Sequence, residues 1–164
     1  MEEIDARDVL AGIPLFREAL DNRQIAHLAA QCEVVAFPAG ALIMAEGDFG
    51  DSMFAIVEGD VSVTVHDRRG DEHGVALLMA GDIVGEMSLM TGARRAATVE
   101  AVTSVVAVEI TKFALEGIFT RAPELIDRFA LVLAARAAKL KEVTAEADSH
   151  VDLVGRIRRI FGGR

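Results

Sequence analysis

Tryptophan and tyrosine are absent from this 164-residue chain, and the aromatic content is 5%, all of it phenylalanine. Any core must therefore be built from Val, Leu, Ile, Ala and Met, and a chain that is 52% hydrophobic has enough of them. The single cysteine, Cys32, excludes an internal disulfide and any cysteine-based zinc cluster, and suits a reducing compartment. No apolar run approaches the ~20 residues needed to span a bilayer. The acidic start, Met1-Glu2-Glu3-Ile4-Asp5, is unlike a signal peptide. A cytoplasmic location follows as an expectation, including that of a cytoplasmic domain of an inner-membrane protein. Basic residues are the minority, 17 against 26 acidic, for a net charge of −9. Phosphate backbones are bound by basic faces, so no nucleic-acid partner is expected. The four histidines, His27, His66, His73 and His150, are scattered without a His-x-His pair, so no metal site is expected. No nucleophile elbow or Ser–His–Asp spacing is present, which points to a binding protein and not an enzyme.

What is present changes texture three times. Residues 5–31 read as helix, broken at Pro14, and Asp21 with Gln24 resembles a capping box. From residue 32 to about 110 the period becomes two, as in Val61, Val63 and Val65 or Val106, Val108 and Ile110, with glycines recurring about every ten residues. Asp67-Arg68-Arg69-Gly70-Asp71 reads as a solvated hairpin tip. After Thr111, a candidate cap, the pattern is helical again through Phe119 and then from Pro123. That second helix is apolar on more than one face, so it is expected to pack on the strands and on something else. Residues 151–164 read as a basic amphipathic helix, suited to docking on a neighbouring surface or weakly on a membrane.

The segment Gly85-Glu86-Met87-Ser88-Leu89-Met90-Thr91-Gly92-Ala93-Arg94-Arg95-Ala96-Ala97-Thr98-Val99 carries the chemistry. Gly85 permits close backbone approach, and Glu86–Met90 can form one short helix whose first turn offers free N–H groups to an anion. Arg95 can return over the same anion with its fork of donors, and Glu86 can accept from a sugar hydroxyl. The pattern describes a pocket for a sugar phosphate. The alternative is a tight turn with Arg94 and Arg95 paired to surface acids.

This segment resembles the phosphate-binding cassette of cyclic nucleotide-binding domains, in which Gly-Glu, two residues and Leu lead through a short loop to Arg, a small residue, Ala, Thr or Ser, and Val. Here these are Gly85, Glu86, Leu89, Arg95, Ala96, Ala97, Thr98 and Val99. Phe37-Pro38-Ala39-Gly40, Gly47 to Phe54, Glu58 to Val63 and Pro14-Leu15-Phe16 resemble other parts of the same family, over about residues 8–140. The resemblance implies that Arg95 pairs with the cyclic phosphate and that Glu86 accepts from the ribose 2′-hydroxyl. Backbone N–H groups near Ser88 and Ala96 would complete the cradle, and Gly85 would leave room for the ribose. Val63, Met87 and, more weakly, Ala76 would touch the base. Leu89 resembles a hydrophobic switch residue that packs against the helices after the strands. Two positions depart from the family pattern: Arg94 stands where many members have Pro, and Ala96 where Ser or Thr is frequent. Arg-Ala-Ala-Thr-Val is similar to cAMP-selective kinase regulatory subunits, so cAMP is expected as the ligand in preference to cGMP.

The expected fold is α+β, mainly β: an eight-stranded jelly-roll-like β-barrel flanked by N-terminal and C-terminal helices. Residues 1–31 would form the helical segment, 32–111 the barrel with the cassette at 85–99, 112–147 the lid helices and 148–164 the tail. The helix from Pro123 is expected to move on binding, with Arg128, Phe129 and Arg136 as candidates for reaching the base. The expected effector is a channel pore preceding the domain. A kinase-type or free-standing sensor and a nucleotide-independent docking module are the alternatives. Family members that regulate transcription add a helix-turn-helix domain after the long helix, and residues 148–164 are too few for one.

Overall fold

The computed structural model describes residues 3–144, and at Val75 and residues 136–144 it describes the backbone. The proposed tail helix at 151–164 and His150 lie outside the described residues, as does the side chain of Arg136.

Three short helices open the chain: α1 (Ala6–Ala11), α2 (Pro14–Ala19) and α3 (Asn22–Ala29). Pro14 starts α2, where its missing N–H costs nothing. The capping box at α3 forms: Gln24 N–H donates to Asp21 Oδ1 at 2.8 Å, and Asp21 N–H donates to Gln24 Oε1 at 2.9 Å. Eight strands follow: β1 (Glu33–Phe37), β2 (Leu42–Met44), β3 (Ser52–Glu58), β4 (Val61–His66), β5 (Glu72–Leu78), β6 (Ile83–Val84), β7 (Thr98–Ala101) and β8 (Val105–Thr111). Helix α4 (Glu86–Thr91) interrupts them, and α5 (Lys112–Arg121) and α6 (Glu124–Thr144) close the described chain.

The fold is mainly β and jelly-roll-like, as expected, but the hydrogen bonding does not close into a ring. It forms two antiparallel four-stranded sheets, ordered β1-β8-β3-β6 and β2-β7-β4-β5. Strands of two and three residues at the edges leave too few ladder bonds to join them. The first sheet is covered on both faces. Met53 and Ala55 of β3 and Val108 and Ile110 of β8 pack with the helices, while Phe54, Ile56, Val105 and Ala107 pack toward the second sheet. This double burial explains the nearly continuous apolar runs of β3 and β8. It also corrects the simple alternation expected for β8, where Val106 is only half-buried.

The hairpin tip at 67–71 is solvated, with Asp67 Oδ1 accepting from the N–H groups of Arg69 and Asp71 at 2.9 and 3.0 Å. Thr111 Oγ1 caps α5 by accepting from Ala114 N–H at 3.1 Å. Helix α6 packs on α2 and α5. Phe129 is fully buried, edge-on to Phe119 and Phe16 with centroids 5.2 and 6.1 Å away, and Arg128 Nη1 donates to the Ala19 carbonyl at 3.3 Å. Leu131 remains 66% exposed on the far face.

Candidate functional site

The cassette segment links the two sheets. It leaves the first from edge strand β6, which pairs with β3 at Phe54 and Ala55, and enters the second as β7. Gly85 turns the chain into α4 at φ 84°, a left-handed conformation that favours glycine, and Gly92 ends the helix at φ 74°. The helix spans one residue more than the sequence pattern indicated.

Arg95 is drawn inward and is 7% exposed. Its Nη1 donates to Ser88 Oγ at 2.7 Å and to the Gly85 carbonyl at 3.2 Å, and its Nη2 donates to the Ser52 carbonyl at 2.7 Å. These bonds use three of the five N–H groups of a guanidinium, and every acceptor is a neutral oxygen. Burial pulls the Arg95 pKa below its ordinary value, while the negative charges of Asp51 and Glu86 oppose that shift. A guanidinium stays protonated under such a shift, so the result is a buried cation with donors to spare. None of its hydrogen bonds goes to a charged oxygen, so an anion bonded directly to it would offset part of the cost of burying the charge.

Arg95 forms part of the wall of a cavity of about 430 Å³, within the range of small-molecule sites. The eight residues singled out from sequence, Val63, Ala76, Gly85, Glu86, Met87, Ser88, Arg95 and Ala96, all line it. Val63 stands opposite Ala76 on β5 and Val99 on β7, so three adjacent strands give the cavity an apolar side. Glu86, Ser88 and Arg95 supply the polar side. The first-turn amides of α4 have no intrahelical acceptor by construction, which suits an anion beside them. Gly85 has a second reason to be glycine: a Cβ there would lie 2.6 Å from Arg95 Nη1 and 2.9 Å from Met44 Cε.

Arg94 diverges from its neighbour. It lies outside the cavity, donates from Nη1 to the Gly47 carbonyl at 3.1 Å, and sits 4.5 Å from the centroid of the Phe49 ring. Among the described residues neither arginine forms an ion pair with a surface acid, although the charge of exposed Asp51 acts on Arg95. Sequence reasoning missed Met44, Leu78, Asp82, Ile83 and Val84 in the cavity wall, and it named Ala97 and Val99 as part of the cassette without giving them a place in the site. Ile83, Val84 and Ala97 adjoin or fall within the segment already singled out. Met44 enters through the pairing of β2 with β7, which carries no local signal.

Arg128 and Phe129 do not reach the base side of the cavity in this conformation: one is bonded to Ala19 and the other lies within the helical core. The apolar face of α6 has a partner in α2, which the sequence pattern could not name. Leu89 is 1% exposed and belongs to the same buried cluster as Leu115 and Phe129. Cys32 donates to the Leu28 carbonyl at 3.3 Å, and burial pushes its thiol up to about 12, which suits an inert structural role. His66 and His73 are exposed and pair with Glu46 and Asp67. No metal-binding cluster and no helix long and apolar enough to cross a membrane occurs among the described residues.

The profile of the cyclic nucleotide-binding domain matches residues 34–122. The chain belongs to the cyclic nucleotide-binding domain family. A CRP-like cAMP-activated global transcriptional regulator of Mycobacterium tuberculosis is 28% identical over 93% of this chain and 67% of its own length. A cyclic nucleotide-gated potassium channel of Rhizobium etli is 34% identical over 73% of this chain and 32% of its own length. Among solved structures, the N-terminal domain of a transcriptional regulator from Streptomyces coelicolor superposes with a TM-score of 0.69 at 31% identity, covering 84% of this chain and 95% of that one. These relatives are regulators and a channel, not enzymes. They also correct one expectation. The acidic balance excluded a nucleic-acid partner, yet cyclic nucleotide-binding domains occur in transcriptional regulators to which nearly all of this chain aligns. Net charge is a sum over one segment, whereas contact with a nucleic acid is a local property that another part of a protein can supply.

Proposed function

We propose that this cyclic nucleotide-binding domain is a sensor that takes cAMP in preference to cGMP in the cavity between α4 and the second sheet. The observation that carries the reading is the buried Arg95 in the cavity wall, whose three side-chain hydrogen bonds all go to neutral oxygens. In this reading Arg95 and the backbone N–H groups near Ser88 and Ala96 hold the cyclic phosphate. Glu86 accepts from the ribose 2′-hydroxyl, Gly85 leaves room for the sugar, and Val63, Met87 and Ala76 face the base. The preference for cAMP rests on Ala96, which has no hydroxyl to offer a guanine amino group, and is supported by the cAMP-activated relative of Mycobacterium tuberculosis.

Residues 32–111 then bind, and α5 and α6 transmit. An anion drawn to Arg95 pulls on α4, and Leu89 carries that pull into the cluster it shares with Leu115 and Phe129. The equilibrium shifts toward whichever helix packing the nucleotide favours. A channel pore is the effector we favour, supported by the Rhizobium etli relative. Control of transcription is the second reading, favoured by the regulator that aligns over 93% of the chain.

Nucleotide at 100 times its dissociation constant adds ~2.7 kcal/mol to the stability of a single-site binder. For a chain of this size that is a rise of roughly 5–10 °C in melting temperature. Such a rise with cAMP and not with AMP is the expected result; no rise at millimolar cAMP refutes the assignment.

A further inference from the structure

We propose that Gly50 is a positioning residue for Arg95: its missing side chain is the space in which the guanidinium lies. The inference rests on the reading above, in which Arg95 holds the phosphate.

The loop between β2 and β3 grips Arg95 from both sides of its backbone. Arg95 N–H donates to the Asp48 carbonyl at 2.7 Å, and Gly47 N–H donates to the Arg95 carbonyl at 2.9 Å. Two residues on, Gly50 lies against the head of the same side chain. A Cβ built there collides with Nη2, Cζ and Nε of Arg95 together, the whole edge of the fork and not one atom of it. The backbone gives no other reason for glycine: Gly47 needs a left-handed φ of 87°, but Gly50 is absent from the positive-φ glycines. The Gly85 Cβ position closes on Nη1 from another direction, so the guanidinium is confined between two glycines. Gly85 also has a positive φ, which makes Gly50 the position where space can be tested without backbone strain.

A side-chain end can move out of the way of an added methyl group, whereas a backbone cannot. Alanine at 50 should therefore leave the fold intact and displace the guanidinium from Ser88, Gly85 and Ser52. The guanidinium would then lose the position in the cavity wall that the reading above gives it for the phosphate. Gly50 thus acts through Arg95 and need not touch the nucleotide.

The test is a cycle of Gly50→Ala, Arg95→Ala and the double variant in the full chain. Melting is measured without ligand, and cAMP affinity is measured against a fluorescent analogue. Gly50→Ala is expected to lower the melting temperature when Arg95 is present and to leave it unchanged when Arg95→Ala has removed the guanidinium. It is also expected to weaken cAMP binding tenfold or more. An equal melting penalty in both backgrounds, or cAMP affinity unchanged by Gly50→Ala, overturns the proposal. Should Gly50→Ala fail to fold, a folded double variant supports the proposal and an unfolded one overturns it. If the wild type binds no cAMP, the proposed function falls, and the melting cycle alone still decides whether Gly50 makes the space for Arg95.

Discussion

Replacing Arg95 by alanine removes a buried cation and its three hydrogen bonds at one stroke, whereas replacing Arg94 removes one exposed bond and one ring contact. The contrast gives a sharp test because the two residues are adjacent and chemically identical. In the proposed reading Arg95 makes one charge-assisted pair with the phosphate, and such an interaction contributes ~1.5–3 kcal/mol. Arg95→Ala should therefore weaken cAMP binding by roughly tenfold to a hundredfold. Arg94 does not line the cavity. Its contact with Phe49, a ring that is 70% exposed, is worth about 0.5–1 kcal/mol to the loop, and only part of that can reach the ligand. Arg94→Ala should cost less than about threefold. Calorimetric titration of both variants decides. Equal losses, or a larger loss at Arg94, would mean that the inward-facing arginine does not hold the phosphate, and the argument from burial would fail.

Two further substitutions probe selectivity and coupling. Ala96→Thr places a hydroxyl at the cavity rim and should improve cGMP binding by one hydrogen bond, ~0.5–1.5 kcal/mol or roughly two- to tenfold, with cAMP nearly unchanged; a wild type that already prefers cGMP by tenfold contradicts the role given to Ala96. Leu89→Ala empties a fully buried site and should lower stability by about 2–5 kcal/mol. In wild type, cAMP should slow amide exchange in both 85–99 and α6, and Leu89→Ala should leave protection in the cassette while reducing it in the helix. Protection confined to the cassette in wild type would remove the switch.

The site was legible where local chemistry fixes local shape. Gly85, the short helix and the return of Arg95 can be read because a left-handed turn, a helix start and a forked cation each have a residue type that suits them. The Asp21–Gln24 box and the turn at 67–71 are legible for the same reason. The acceptors of Arg95 are a different matter. Two of the three are backbone carbonyls, at Gly85 and Ser52, and a carbonyl has no side-chain signature. Strand order depends on pairings between distant segments, so the entry of Met44 into the cavity wall through β2 and β7 is invisible locally. Helix α6 shows the limit of periodicity: its apolar residues announce burial but not the partner, and Phe129 turned out to face Phe16 and Phe119. Net charge misled because it averages over surface that has no part in recognition.

The central claim is that a cyclic nucleotide occupies the cavity walled by α4, Arg95 and the strands bearing Val63 and Ala76. The most direct test is a titration of the isotope-labelled chain with cAMP, followed by amide chemical shifts. The account predicts large changes at Gly85 to Ser88 and at Arg95 to Ala97, with smaller ones at Val63 and Ala76, all saturating together at one nucleotide per chain. Unchanged shifts at these positions with millimolar cAMP, or changes confined to residues outside the cavity, would contradict it.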